Sequence, residues 1–255
     1  RLTTFKLNGT VPHVIVIETE DDLAQLPENI YVLGAGSNTL MSPDIDKPIV
    51  RISPTCFKFK LEDNVLLCSA GASVAMILKH MCLEGVSGLE FAAGVPATIG
   101  GMVYMNFECW GHEISKIIDS VYIFNKEKGA HWVTGEDIEY KYRWTSFHSM
   151  ECIILAVKLR VFKKKPDAIK QDIEENIRYR KKKQPLLQST FGSVFKNPLP
   201  KKSGQLIDSS GLKGHVVGGV KVSQHHANFF ENYDNGSFQD AIELIKVVQN
   251  KVYSL

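Results

Sequence analysis

The sequence predicts an α+β protein with mixed sheets, and three observations lead to that class. Runs in which apolar and charged side chains alternate, such as Leu155–Val161, are typical of half-buried strands. Longer segments such as Asp167–Lys183 repeat isoleucine at helical spacing and predict amphipathic helices. The strands and helices do not alternate as regular βαβ units, so a doubly wound parallel sheet is not expected.

Residues 1–54 are predicted to contain three strands and one short helix. The strands are expected at His13–Glu18, Asn29–Leu33 and Pro48–Ile52, which are short and rich in Ile and Val. The acidic stretch Glu20–Leu26 suits a short helix between the first two strands. A glycine turn follows the second strand.

Residues 55–163 are predicted to hold a capped helix and a hairpin. Ser73 can cap a helix that ends at Gly85. The apolar side chains of this helix recur at helical spacing and are Val74, Ile77, Leu78 and Met81. Val121–Phe124 and His131–Val133 flank a short polar turn, which predicts a hairpin.

Residues 164–255 are predicted to open and close with helices. In the helix Asp167–Lys183 the acidic residues lie early and the basic residues late, as the helix dipole favours. A last helix is expected after Ser237. Its apolar face consists of Phe238, Ala241, Ile242, Ile245 and Val248.

Composition and charge exclude several classes of protein. The chain has 255 residues, of which 44% are hydrophobic and 23% charged, a balance typical of globular domains. Its 30 Lys and Arg residues nearly cancel its 28 Asp and Glu residues and leave a net charge of +2, so nucleic acid is not an expected partner. No apolar run approaches the roughly 20 residues of a membrane helix, so no membrane association is expected.

The N-terminus and the cysteines predict a cytoplasmic protein. The N-terminal residues do not predict a signal peptide, and because Arg1 stands where Met is usual, we expect the start to be trimmed. The cysteines show no CxxC pair, which argues against both a disulfide framework and a zinc site. All five are expected to be reduced and mostly buried, and they are Cys56, Cys68, Cys82, Cys109 and Cys152.

A glycine turn at Gly34, Ala35, Gly36, Ser37 and Asn38 is a candidate phosphate-binding segment. Its two glycines allow a tight backbone, so consecutive N–H groups can point into one concavity. The dinucleotide fingerprint of doubly wound folds requires a third glycine and a following helix, and neither follows here. An ordinary tight turn is an equally good interpretation of this motif alone.

A second glycine-rich stretch, Ser87–Met102, is built largely from small residues. Thr98, Gly100 and Gly101 lie near its end, and Glu90 is its only charged residue. Because small residues let the backbone approach a ligand closely, this stretch could lie against a large flat molecule. A buried glycine-rich turn without a ligand is the alternative.

In this order, the two glycine-rich motifs resemble the FAD-binding fold of the vanillyl-alcohol-oxidase type. GxGSN is followed by GLExxxGxPxTxGG and by Met105-Asn106, and within that class the chain resembles the UDP-N-acetylenolpyruvoylglucosamine reductase family. Five later segments also match motifs of that family, namely Tyr142–Phe147 (YRxSxF in the family), Gly192–Pro198 (GSxFKNP), Leu206–Asp208, Gly211–Gly214 and His226–Phe229. The agreement runs from Thr3 to the last helix, essentially the whole chain.

The resemblance implies two FAD-binding lobes, residues 1–54 and 55–163, and an α+β substrate-binding lobe, residues 164–255. Non-covalent FAD is implied between the first two lobes. Its implied ligands are the Gly34–Asn38 turn and the second turn around Thr98, Gly100 and Gly101. Neither turn contains His or Cys, so no covalent flavin link is expected there. The expected state is a monomer.

The resemblance also implies a reaction. In this family the enolpyruvyl double bond of a UDP-sugar is reduced in two half-reactions, in which NADPH gives a hydride to FAD and the hydride then passes to the substrate. By its motif position Arg143 holds the enolate, because a fixed cation stabilises charge that develops only during reaction. Ser193 matches the proton donor. Lys196 and Asn197 are implied to hold the substrate or to organise the segment Gly192–Pro198, which we call the Ser193 loop.

Each of these roles has a simpler alternative. Arg143 could be a surface arginine between aromatic neighbours, and Ser193 an inert turn serine. The basic run 178–183 could face the substrate diphosphate, although a solvated helix face is favoured for most of it. His225 and His226 have no third ligand nearby in the sequence, so no metal is expected.

The chain departs from the family at several positions. Asn106–Gly111 (NFECWG) stands where the family usually has NAGAxG, and its aromatic residues are bulky for a segment expected close to flavin. Thr145 replaces the motif serine. About fifty residues separate Arg143 from Ser193, as in the shorter form that lacks an extra tyrosine-bearing loop. The family's catalytic glutamate belongs to an LEPE-like segment beyond the last helix. No such segment precedes Leu255, so either the C-terminus is truncated, which we expect, or this member lacks the acid.

Two other functions stay open at this point. A flavin oxidase of the same fold that acts on another alcohol would not be expected to share the Ser193 loop and the substrate lobe. A flavin- or UDP-sugar-binding protein without activity is suggested by the missing glutamate.

Overall fold

The computed structural model describes residues 2–254, and the chain folds into two compact units. We call residues 13–35 and 47–178 the sheet unit, because most of the strands belong to it. Residues 1–12, 36–46 and 179–255 form the terminal unit, which contains both ends of the chain. Among the helices of the described residues, none is long and apolar enough to cross a membrane.

Strands and helices occur in both units, which confirms the α+β class. The strands are β1 (Val14–Ile17), β2 (Tyr31–Val32), β3 (Ile49–Ile52), β4 (Lys60–Glu62), β5 (Val65–Ser69), β6 (Val86–Ser87), β7 (Glu108–Cys109), β8 (His112–Glu113), β9 (Ile118–Asn125), β10 (Gly129–Thr134), β11 (Tyr140–Lys141), β12 (Trp144–Thr145), β13 (Ile153–Arg160), β14 (Phe162–Lys163), β15 (Val216–Val217), β16 (Val220–Val222) and β17 (Phe230–Asn232). The α-helices are α1 (Val74–Glu84), α2 (Ile99–Tyr104), α3 (Pro166–Lys183), α4 (Ser203–Ser209) and α5 (Phe238–Tyr253).

The sheet unit is built on two sheets that share a buried layer. The strand order is β1-β3-β2 in a parallel sheet and β10-β9-β13-β5-β4 in an antiparallel sheet. Ile17 and Val50 of the first sheet pack with Ile153 and Leu155 of the second. Within the described residues every sheet is wholly parallel or wholly antiparallel, so the expectation of mixed sheets is wrong.

The central strand β13 is more buried than its sequence predicts. A half-buried strand was expected from alternation with Lys158, but the first part of β13 is buried on both faces. The register with β9 shifts between Ile154 and Ala156. As a result, Leu155 packs toward the parallel sheet, whereas Val157 belongs to the core on the other face. One irregularity in pairing therefore divides a stripe that the sequence presents as continuous.

Helix α1 agrees with its prediction at both ends. The hydroxyl of Ser73 accepts a hydrogen bond from the Met76 N–H at 3.2 Å, which satisfies one donor at the start of the helix. Gly85 ends the helix in the left-handed conformation, with φ +63°. The four predicted apolar residues are all buried. The helices predicted after Pro166 and after Ser237 are also confirmed, whereas the short helix expected at Glu20–Leu26 is a 3₁₀-helix over Glu20–Gln25.

The terminal unit has its own core. It packs a three-stranded antiparallel sheet, β15-β16-β17, together with α5 and with the N-terminal segment. Phe5 is fully buried there and contacts Phe191 edge to face, with the two ring centres 4.6 Å apart. The first residues of the chain thus form part of the core around the segment that precedes Ser193.

None of the five cysteines forms a disulfide in the structure, and only Cys68 is fully buried, so the expectation of mostly buried cysteines is wrong. Burial raises the pKa of Cys68 to about 12 and that of Cys152 to about 11. These two thiols are therefore neutral at neutral pH, and neither has the thiolate character of a catalytic cysteine.

Candidate active site

The Gly34–Asn38 turn presents unpaired backbone donors. The ladder of β2 and β3 ends with the Leu33 N–H, which donates to the Val50 carbonyl at 2.9 Å. Among residues 2–254, no hydrogen-bond acceptor is found for any of the five N–H groups from Gly34 to Asn38. No helix follows the turn, in agreement with the rejection of the dinucleotide fingerprint. Such consecutive free donors suit an anion such as a diphosphate.

Within the sheet unit, Thr98 of the second glycine turn lies against Gly34. Thr98 caps helix α2, and its hydroxyl accepts a hydrogen bond from the Gly101 N–H at 3.4 Å. A Cβ atom on Gly34 would lie 2.6 Å from that hydroxyl. A larger residue at position 34 would therefore require either the turn or the Thr98 side chain to move.

The first donors of α2 are already used by the protein. The Ile99 N–H donates to the Ala72 carbonyl at 3.0 Å, and the Gly100 N–H to the Ala70 carbonyl at 2.9 Å. A Cβ on Gly100 would lie 2.9 Å from the Ala70 Cβ. Thr98, Gly100 and Gly101 therefore suit close packing of backbone, and the free donors of the candidate cofactor site belong to the Gly34–Asn38 turn.

Arg143 is held in a fixed position by the sheet unit. It lies in the two-residue loop between β11 and β12 with φ +56°, a conformation that is uncommon for a bulky residue. Its Nη2 donates to the Glu108 carbonyl at 2.9 Å, and its guanidinium carbon lies 5.7 Å from the Phe107 ring centre and 5.5 Å from that of Tyr142. The half-buried guanidinium is thus placed by one hydrogen bond and two aromatic rings.

The departure from the family motif at Phe107 is part of this arrangement. Phe107 is partly buried and stacks on Phe91, with ring centres 6.2 Å apart. The same ring supports the Arg143 guanidinium by a cation–π contact. Sequence reasoning treated Phe107 only as bulky. The sequence did contain a signal for this role, because Phe107 stands where the family usually has alanine. An aromatic residue at that position could have indicated a new packing contact.

Ser193 lies on the terminal unit, where its side chain is exposed. Gly192 precedes it with φ +77°, and a Cβ on Gly192 would lie 3.1 Å from the Ser37 carbonyl oxygen and 3.3 Å from Asn38 Oδ1. The Ser193 loop is therefore packed against the end of the first glycine turn. Exposure leaves the Ser193 hydroxyl accessible to a ligand.

Asn228 fixes the backbone that follows Ser193. The Val194 N–H donates to the Asn228 carbonyl at 2.9 Å. The buried Asn228 side chain accepts from the Phe195 N–H and donates to the Phe195 carbonyl, each at 2.9 Å. Sequence reasoning did not single out Asn228, although it lies in the HANF motif. The Asn228 side-chain amide thus pairs with both backbone groups of Phe195, as the backbone of a neighbouring strand would.

His226 supports the same segment as a neutral ring. Its Nδ1 lies 3.2 Å from the Asn228 N and accepts that N–H, which requires an unprotonated nitrogen. Burial lowers the pKa of His226, and the nearby Lys213 and His225 lower it further. Across residues 2–254 there is no group of three or more His, Cys, Asp or Glu side chains arranged to bind a metal ion.

Lys196 and Asn197 continue the Ser193 loop toward helix α4. Asn197 Oδ1 accepts from the Ser203 N–H at 3.0 Å, and the Lys196 carbonyl accepts from the Ser203 hydroxyl at 2.5 Å. These bonds tie the loop to the start of α4. The Lys196 side chain is exposed and so is accessible to an anionic ligand.

The basic run on α3 is largely a solvated face, as favoured from the sequence. Its four exposed members are Arg178, Lys181, Lys182 and Lys183. Arg180 is the exception, because it is buried and its Nη1 donates to Gln184 Oε1 at 3.2 Å.

Comparison with known proteins identifies the family. The UDP-N-acetylenolpyruvoylglucosamine reductase of Anoxybacillus flavithermus is 32% identical to this chain over 262 residues, covering 99% of the chain and 87% of the relative. The chain belongs to the UDP-N-acetylenolpyruvoylglucosamine reductase family. The reductase of the same name from Bacillus subtilis is 31% identical over 259 residues, covering 98% of this chain and 86% of the relative.

Two further comparisons agree with membership of the reductase family. A profile of the family's C-terminal domain matches residues 184–255. The crystal structure of the reductase from Thermus caldophilus aligns with a TM-score of 0.88 at 28% identity, covering 98% of this chain and 91% of that one. The resemblance to this reductase family, stated from the motifs, is therefore confirmed.

Proposed function

We propose that this chain is an FAD-containing, NADPH-dependent reductase that converts UDP-N-acetylglucosamine enolpyruvate to UDP-N-acetylmuramate in peptidoglycan precursor synthesis. The observation that carries the proposal is the identity with the reductase of Anoxybacillus flavithermus over nearly the whole chain. The Ser193 loop, ordered by Asn228, belongs to the matched region. A flavin oxidase acting on another alcohol has no comparable support.

FAD fits the residues of the two glycine turns. We propose that its diphosphate accepts hydrogen bonds from the free N–H groups of the Gly34–Asn38 turn. Thr98, Gly100 and Gly101 are proposed to let the backbone approach the cofactor closely. The chemistry that bound FAD supplies is the relay of a hydride from NADPH to the enolpyruvyl double bond.

The proposed roles of the side chains follow from their environments. The fixed guanidinium of Arg143 is suited to stabilise the negative charge that develops on the substrate as an enolate. The exposed Ser193 hydroxyl is proposed to give its proton to the enolate carbon. Lys196 is proposed to pair with an anionic group of the UDP-sugar, and Asn197 to hold the substrate through the loop that it orders.

The organisation into lobes, the oligomeric state, the location and the small-molecule partners are also proposed. The three lobes, at 1–54, 55–163 and 164–255, are proposed to divide FAD binding and substrate binding between them. We also propose a monomer in the cytoplasm whose small-molecule partners are the UDP-sugar and NADPH.

Identification of the released cofactor and of turnover tests the proposal. Heat-denatured protein is expected to release a yellow supernatant whose flavin is FAD. Native protein is expected to consume NADPH beyond the one equivalent that reduces its FAD only when the enolpyruvyl substrate is present. Release of FMN, or of no flavin, would contradict the cofactor assignment. FAD without any NADPH consumption would instead favour a binding protein, and oxygen consumption with an alcohol would favour an oxidase.

Gly34→Ala is expected to weaken FAD binding. The new Cβ would lie 2.6 Å from the Thr98 hydroxyl, so either the Thr98 side chain or the turn must shift, and we expect the turn to shift and lose donors to the diphosphate. The loss of one charge-assisted hydrogen bond costs about 1.5–3 kcal/mol, which corresponds to roughly 10–100-fold in the FAD dissociation constant. That constant can be measured by flavin fluorescence titration of the apoprotein.

A second substitution tests the cause of that loss. In Gly34→Ala combined with Thr98→Ala, the next nearest atoms to the new Cβ are about 3.8 Å away, so much of the affinity should return relative to the Thr98→Ala parent. The Thr98→Ala parent is the control, because it lacks both the new Cβ and the hydroxyl that this Cβ would meet. Equal losses with and without Thr98 would reject steric contact as the explanation.

A further inference from the structure

The hairpin that carries Arg143 is anchored to the segment after α2 at three points. The Thr145 hydroxyl donates to the Tyr104 carbonyl at 3.1 Å, and Arg143 Nη2 donates to the Glu108 carbonyl at 2.9 Å. Between them, Asn106 Nδ2 donates to the Lys141 carbonyl at 3.0 Å. Alternate residues of one segment, Tyr104, Asn106 and Glu108, thus hold three residues of one hairpin. On the side of the segment, Tyr104 and Glu108 contribute backbone carbonyls, and only Asn106 contributes its side chain.

The Asn106 side chain is itself held rigidly. It is buried, and its Nδ2 also donates to Glu113 Oε1 at 2.5 Å, so both amide hydrogens have acceptors. Its backbone has φ +41°, a conformation that asparagine tolerates better than most residues. Its Oδ1 is buried without a partner within the described chain, which is a cost of placing an amide here. The two donor bonds link Glu113 to the hairpin.

We propose that Asn106 is a positioning residue for Arg143, acting through the Lys141 carbonyl. Arg143 itself is in the left-handed region, and such a conformation persists only where its surroundings hold it. Without the Asn106 anchor, the loop is free to move the guanidinium away from the place where charge develops. The inference rests on the proposed function, in which Arg143 stabilises the enolate.

Asn106→Gly is the sharpest test, because glycine accepts φ +41° and removes only the side chain. Misplacement of a catalytic group by about 1 Å can cost 10²-fold in rate. We expect transfer from reduced enzyme to the enolpyruvyl substrate to slow by about 10–100-fold. Reduction by NADPH and FAD content should stay near parental values. Equal slowing of both half-reactions would overturn the proposal, since it would indicate a general structural role.

A double-mutant cycle asks whether Asn106 acts through Arg143. In an Arg143→Ala background, Asn106→Gly should have little further effect on transfer to the substrate, because the group that it positions is already absent. Effects that multiply independently would overturn the proposal.

Glu113 provides a second pair of variants if Asn106→Gly does not fold. Glu113→Ala removes the acceptor that orients the Asn106 amide and should slow the same half-reaction several-fold. Glu113→Gln keeps an acceptor oxygen and should retain most of the parental rate. Identical behaviour of the two variants would contradict the proposed link.

Hydrogen exchange gives a readout that needs no catalysis. Amides of residues 140–145 should exchange faster in Asn106→Gly than in the parent, while those of β13 should be unchanged. Unchanged exchange in the hairpin would overturn the inference even if the reductase activity is present. Absence of reductase activity in the parent would reject the proposed function, and the exchange result would still decide whether Asn106 holds the hairpin.

Discussion

Ser193→Ala is expected to slow transfer from reduced enzyme to the enolpyruvyl substrate by about 10²–10⁴-fold, the usual cost of losing a positioned proton donor. Reduction by NADPH should stay near the parental rate, because that step needs no proton on a substrate carbon. The fold should change little, since the Ser193 side chain is exposed and Asn228 holds the loop through backbone groups. Anaerobic stopped-flow mixing measures the two half-reactions separately.

Two further variants sharpen this test. Ser193→Cys should retain part of the activity, because a thiol can also donate a proton. Ser209→Ala removes an exposed serine hydroxyl of α4 in the same unit and should behave like the parent. If Ser193→Ala turns over substrate at the parental rate, the donor is water or another residue. A solvent deuterium effect on the parental rate is expected if protonation limits that step.

Arg143→Lys is expected to slow the same half-reaction by about 10²–10³-fold, the range found when one group that stabilises developing negative charge is removed. Lysine keeps the charge and the left-handed backbone strain, but it loses the planar fork of donors. The bond to the Glu108 carbonyl and the stacking on Phe107 both depend on that fork. FAD reduction by NADPH should change little.

Arg160→Lys is the matched control for Arg143→Lys, since it changes an exposed arginine at the end of β13. It should leave both half-reactions unaffected. If Arg143→Lys slows NADPH reduction as much as substrate reduction, Arg143 has another task, such as maintaining the hairpin. Thermal unfolding of the variant distinguishes that outcome.

Local features of the fold were predictable because they depend on residues close in sequence. Helix α1 shows this clearly, with Ser73 at its start, Gly85 at its end and a buried stripe between them. The register shift in β13 was not predictable, because it arises from pairing with β9, about thirty residues earlier in the chain. Periodicity alone cannot show where a strand changes the face that it buries.

In the candidate site, too, the features that depend on residues close in sequence were predictable, and those that depend on distant residues were not. The glycine spacing at Gly34–Asn38 predicted free donors, and none of these N–H groups is used within the described residues. By contrast, the donors at the start of α2 are satisfied by Ala70 and Ala72, which a motif cannot indicate. Two further features also join residues more than thirty positions apart. They are the contact of Phe107 with Arg143 and the hydrogen bonds of Asn228 to the Ser193 loop.

In the proposed reaction, reducing equivalents pass from NADPH through bound flavin to an enolpyruvyl UDP-sugar. The most direct measurement is to reduce the purified protein with stoichiometric NADPH without oxygen and then add UDP-N-acetylglucosamine enolpyruvate. We expect the oxidised flavin spectrum to return in the absence of oxygen and UDP-N-acetylmuramate to form in an amount equal to the NADPH added. A flavin that stays reduced until oxygen is admitted, with no UDP-N-acetylmuramate formed, would contradict the proposed reaction.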